Sequence, residues 1–146
     1  MFDKLLKSLL APAPAQLADH DARMALAALL VRVARTDNMY AAEEVERIEA
    51  ILMQRYGLSP FQAMDLRAQG EALEAQAPDT IRFTRALKDA VPLDDRAALV
   101  QALWSVALVD GSRDGGEDQM LRLIANLLGL TDVDSGLARQ RAQAAL

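Results

Sequence analysis

LVQALWSVALVDGSRDGGEDQMLRLIANLL, Leu99–Leu128, joins an apolar run, a short acidic glycine loop and a second apolar run. In the first run Leu99, Leu103 and Val106 recur at i, i+4 and i+7 on one helical face, and Val100, Trp104 and Leu108 form a second apolar line. A helix apolar along two lines is buried on most sides, so this is the central helix. It stops at Asp110-Gly111-Ser112-Arg113-Asp114-Gly115-Gly116, where the glycines allow a tight turn. Glu117 opens the next helix, with Met120, Leu121, Ile124, Leu127 and Leu128 as its inward stripe and Gly129 as its C-cap.

An earlier stretch copies this pattern. Arg23, Leu26, Leu30, Val33, Ala34 and Asp37 match Arg96, Leu99, Leu103, Val106, Ala107 and Asp110 in order. Each copy continues through a loop and helix-opening acids to a second helix, ending in Tyr56-Gly57-Leu58-Ser59 or Leu128-Gly129-Leu130-Thr131. The copies cover about residues 21–59 and 94–131 and differ by one residue between the aspartate and the glycine. Two helical pairs predict a bundle with internal pseudo-two-fold symmetry, and are far too few for a solenoid.

Around the copies the chain reads as helices and caps. Phe2, Leu5, Leu6, Leu9 and Leu10 make one apolar face, with Asp3, Lys4, Lys7 and Ser8 opposite, and Pro12 and Pro14 then impose an extended linker. Residues 1–16 are thus an amphipathic helix and linker ahead of a helical domain over 17–146. Two roles fit that helix: part of its own domain, or a detachable anchor for a membrane surface or a partner. Its shortness and terminal position favour the first, and its charges interrupt the apolar core that a signal peptide requires.

Asp19 or Asp21 is the expected cap of the next helix, which runs to about Thr36. A third helix opens near Ala42 with Glu43 and Glu44 in its first turn, where the dipole favours acids, and turns Val45, Ile48, Ile51, Leu52 and Tyr56 inward. Ser59-Pro60-Phe61-Gln62 combines a serine cap, proline at the first position and a glutamine that reaches back, opening a helix toward Ala75 that Gly70 weakens. Pro78-Asp79-Thr80 caps a further helix carrying Ile81, Phe83, Thr84 and Leu87; Pro92 ends that region, and Asp94 or Asp95 caps the central helix. Thr131 or Asp132 starts the last segment. Nothing alternates with period two for long, so the expected fold is all-α, about seven helices in a single bundle.

Composition excludes several functions. The 146 residues contain no cysteine, which removes disulfides, thiolate nucleophiles and cysteine-ligated zinc. A net charge of -5 argues against a general nucleic-acid binder. Arg32, Arg35 and Gln101 interrupt the longest apolar runs, so no transmembrane helix is expected. No phosphate-cradling glycine loop, HExxH or nucleophile elbow is present. His20, the single histidine, sits among capping residues without a second member for a base-and-orienter pair. Trp104 reads as core, the methionines as packing, and Arg32, Arg35, Arg47 and Arg55 as a solvated, paired face.

A repeated helix ending in Ala-x-x-Asp, then acids opening a helix that ends in Gly-Leu-Ser/Thr, resembles the TerB-like family, tellurite resistance protein B and its relatives. The marks are Ala34–Asp37 with Glu43, Glu44 and Gly57-Leu58-Ser59, and Ala107–Gly111 with Glu117 and Gly129-Leu130-Thr131. Asn38 stands where the family has glycine after the first aspartate. The resemblance implies an all-helical fold with internal two-fold symmetry and a bacterial cytoplasmic or membrane-peripheral protein. It also implies a divalent-metal role for the acids and a place beside stress-response and co-chaperone modules.

The acids can be weighed on their own chemistry. Asp110, Ser112, Asp114 and Gly115 imitate the first positions of an EF-hand loop, yet Leu121 stands where the bidentate glutamate belongs. Asp37 and Asp110 both lie near a helix C-terminus, where the dipole disfavours an acid by about 0.3–1 kcal/mol, and the repeated placement suggests a compensating partner. The candidate ligands are Asp37, Glu43, Glu44, Asp110, Asp114 and Glu117, all oxygen donors, for calcium first and magnesium second. Turn and cap preferences also explain each acid singly.

Three functions follow as expectations. The first is a non-enzymatic, metal-responsive binding or scaffold module linked to tellurite or metal stress, with protein partners, in the cytoplasm or at the inner face of the membrane. The second is a metal-independent protein–protein interaction module, membrane-peripheral or co-chaperone-like, that uses a helix groove and its N-terminal amphipathic segment. The third and most distant is a metal-assisted hydrolase, for which no positioned base accompanies the acids.

Overall fold

The computed structural model describes residues 15–36, 40–76, 79–109 and 115–145, the side chains of residues 15–20 and 115–117 excepted. These residues form seven helices and no strand: α1 (Ala15–Arg35), α2 (Ala42–Tyr56), α3 (Pro60–Gln76), α4 (Ile81–Ala90), α5 (Leu93–Leu108), α6 (Gly115–Leu127) and α7 (Asp132–Ala144). The N-terminal amphipathic segment lies outside the described residues.

The two copies pack as the sequence predicts. α1 lies most broadly on α3, and α5 on α7; α1 meets α5 at the centre, α2 touches α5, and α6 touches α1. Exchanging the copies exchanges these contacts. The buried faces agree in register: Ala63, Leu66 and Gly70 of α3 follow Ser59 by the same steps by which Ser135, Ala138 and Ala142 of α7 follow Thr131. Leu26, Leu30 and Val33 of α1, and their counterparts Leu99, Leu103 and Val106 of α5, are fully buried.

Local chemistry ends and starts the helices identically in both copies. The Leu58 N–H reaches the Met53 carbonyl at 3.1 Å, and Leu130 reaches Ala125 at 2.9 Å. Gly57 (φ 63°) and Gly129 (φ 86°) occupy the left-handed conformation that this closure requires. Then a reciprocal box opens the next helix. Gln62 N–H donates to Ser59 Oγ (3.2 Å) while Ser59 N–H donates to Gln62 Oε1 (2.9 Å). Thr131 and Asp134 repeat the exchange at 3.1 Å each way.

Two of the expected caps need correction. α1 begins at Ala15, so Asp19 and Asp21 lie inside it rather than capping it. α5 begins directly after Pro92, placing Asp94 and Asp95 in its first turn, where they complement the dipole. At α4 the expected cap is present and comes from Asp79, whose carboxylate accepts from Arg82 N–H (3.2 Å), while the Thr80 hydroxyl accepts from Arg32 (3.2 Å). Gly70 leaves α3 unbroken to Gln76. A methyl group there would meet Ala27 Cβ at 2.6 Å and its carbonyl carbon at 2.8 Å, so glycine is what lets α3 approach α1.

Candidate functional site

Both acidic loops leave a buried central helix and enter the N-terminus of the next. Of the six candidate ligands, Glu43 and Glu44 are described. Glu43 is exposed in the first turn of α2. Glu44 is buried, and its Oε1 accepts from the Ala41 N–H at 3.1 Å. That is half of a capping box, since alanine offers no side-chain acceptor in return; one oxygen of Glu44 therefore has a structural duty. Glu117 is the third residue of α6, and Asp37, Asp110 and Asp114 lie outside the described residues. Among the described residues no three acidic or histidine side chains gather closely enough to hold a metal.

Two of the four arginines expected on a solvated, paired face, Arg32 and Arg35, are paired as expected, and Arg32 is largely covered. Arg32 and Arg35 of α1 meet Glu74 of α3 at 3.4 and 3.1 Å, and Arg35 lies 3.8 Å from Glu71. Arg67 pairs with Glu49 of α2 at 2.7 Å and with Glu71. The Tyr40 hydroxyl donates to Glu71 at 3.3 Å, with the Arg35 guanidinium over its ring. The Arg32 side chain is only 12% exposed and covers the Phe83 ring, so it ties α1 to both α3 and α4. The signal was present in the sequence as Arg32/Arg35 against Glu71/Glu74, two pairs at the same helical spacing. Burial raises the Tyr40 pKa, and the Glu71 charge adds to this against the opposing pull of Arg67. Burial alone would lower the Arg67 pKa, but its bonds to Glu49 and Tyr40 and the Glu71 charge raise it instead.

Arg47 and Arg55 stand elsewhere, on the wall of a cleft of about 470 Å³ formed by α2, α5 and the end of α7. Trp104 is core, as its apolar neighbours predict, and its Nε1–H donates to Ser135 Oγ at 3.2 Å. The matched arginines hold equivalent places. Arg23 lies over the Tyr56 ring at the end of α2, and Arg96 donates to the Leu128 carbonyl at the end of α6 (3.1 Å). Arg96 also donates to Lys88 and Val91 carbonyls, closing the C-terminus of α4.

No helix among the described residues is long and apolar enough to cross a membrane. No curated protein and no solved structure is significantly similar to the chain. A family model described as tellurite resistance protein TerB matches residues 23–140, which span both copies and both acidic loops. The duplicated helix–loop–helix, its repeated caps and this match agree, and the chain belongs to the TerB family of tellurite resistance proteins.

Proposed function

We propose that this protein is a non-enzymatic stress-response module that binds a divalent cation through its two acidic loops and passes that state to protein partners in the cytoplasm. The family match carries this reading, because the matched residues 23–140 enclose every one of the six candidate acids. The donor chemistry supports it: carboxylates alone, in loops and the helix starts that follow them, suit a hard cation, calcium before magnesium. A cation there would relieve repulsion among like charges and offset the unfavourable placement of Asp37 and Asp110 at helix C-termini. Glu44, bonded to the Ala41 N–H, would hold the start of α2 in place.

Binding to the native state alone stabilises by RT ln(1 + [L]/Kd), about 2.7 kcal/mol at a hundredfold excess. Melting curves of the wild type should therefore rise with millimolar calcium. Asp110→Asn should be slightly more stable without metal and should lose the calcium response. A wild-type curve unmoved by calcium and magnesium removes the cation from the account and leaves a metal-independent interaction module.

A further inference from the structure

The cleft between α2, α5 and α7 has a counterpart that is already filled. α4 precedes α5 in the chain but packs on α1, and it also touches α6. Exchanging the two copies turns α1 and α6 into α5 and α2, two of the helices that form the cleft. The residues correspond individually. Ala98, Ala102 and Ser105 on the cleft floor are the counterparts of Ala25, Leu29 and Arg32 on α1. Ala25 lines a small pocket together with Phe83 and Ala86 of α4, and Arg32 holds Thr80 and covers Phe83. Ala25 and Leu29 are buried, whereas Ala98 is exposed and Ala102 half-exposed.

By the same symmetry the missing occupant should be a helix that precedes α1. Phe2-Asp3-Lys4-Leu5-Leu6-Lys7 precedes it and parallels Phe83-Thr84-Arg85-Ala86-Leu87-Lys88 of α4. The parallel extends to burial. At the exposed positions Arg85, Lys88 and Asp89 of α4, the segment has Lys4, Lys7 and Ser8. At the covered positions Phe83, Ala86, Leu87, Ala90 and Val91, it has Phe2, Leu5, Leu6, Leu9 and Leu10. Leucines replace the two alanines of α4, and the cleft floor is correspondingly smaller, with alanine and serine in place of Leu29 and Arg32. Asp3 falls at the register of buried Thr84, and Arg47 and Arg55 on the cleft wall provide the charge to meet it.

We infer that residues 2–10 dock as a helix in the cleft between α2, α5 and α7 of the same chain. The repeated unit is then four helices: the N-terminal helix with α1, α2 and α3, and α4 with α5, α6 and α7. Each unit's first helix covers the other unit's central helix.

The chain has no cysteine, so two introduced thiols report their own proximity. Leu5→Cys with Ala98→Cys places thiols at the counterparts of Ala86 and Ala25. In the full-length chain at micromolar concentration this pair should form a disulfide at monomer mass, at a rate independent of protein concentration. Leu5→Cys with Asp89→Cys, on the exposed side of α4, should stay reduced under the same conditions. Equal oxidation of both pairs, oxidation of neither, or cross-linking only into dimers overturns the inference. The melting curve of Leu6→Glu is the second measurement. It should lose several degrees relative to the wild type, and an unchanged curve overturns the docking.

Discussion

Gly70 shows how one residue sets the distance between two helices. The close approach of α3 to the Ala27 backbone leaves no room for a methyl group, since the nearest obstacle includes a main-chain carbon that cannot swing aside. In an exposed helix Gly→Ala would stabilise by about 1 kcal/mol. Here overpacking should outweigh that gain, with a net loss of about 1–3 kcal/mol. Gly70→Ala should therefore melt several degrees lower, at roughly 2–4 °C per kcal/mol for a chain of this size. A melting point equal to or above wild type would show that the helices separate freely. Helix propensity alone misjudges this glycine, because propensity describes a residue within its own helix and the obstacle lies on another. Tyr40 gives a second residue-scale test. Its folded pKa lies above the unfolded value, so the folded state holds the phenolic proton more tightly. The resulting stability is complete below about pH 10 and is lost as pH rises through the folded pKa. Alkaline unfolding of the wild type should therefore be steeper than that of Tyr40→Phe, and identical pH profiles would remove Glu71 and burial as the cause.

At the scale of elements, the strongest sequence signals were those whose partners lie within four or five residues. Ser59 with Gln62, Gly57 and Gly129 were all legible because a cap is satisfied by its own helix. Thr131→Ala removes the acceptor for the Asp134 N–H and should cost about 0.5–2 kcal/mol; Ser59→Ala should cost a similar amount, since the two boxes share one geometry. Thermal melts of the two variants should agree, and a silent Thr131→Ala would show that water replaces the cap at no cost. Asp94 and Asp95 misled because an acid near a helix start suits both a cap and a first turn, and Pro92 moved the start forward. The Arg–Glu network joining α1, α2 and α3 was harder to read. Its links between α1 and α3 join residues dozens of positions apart, and equal spacing of charges on two helices does not say that the helices meet.

At the scale of the whole molecule, duplication organises everything described. Leu26, Leu30 and Val33 of α1 and their matches Leu99, Leu103 and Val106 of α5 are buried alike, matched arginines anchor the ends of α2 and α6, and the same contacts recur when the copies are exchanged. This much was legible because a core leaves periodic apolar residues in the chain. The acids were legible as candidates for a different reason: a duplicated loop repeats its unusual residues together with its ordinary ones. Glu44 shows why sequence could not take them further, since a buried carboxylate at a helix start serves the backbone and a cation equally well. The proposal that the loops bind a divalent ion is tested most directly by calorimetric titration of the metal-stripped, full-length protein with calcium. The account predicts saturable binding that Asp110→Asn abolishes while the helical circular dichroism stays unchanged. Absence of binding heat in the wild type up to millimolar calcium and magnesium, at more than one temperature, would contradict it.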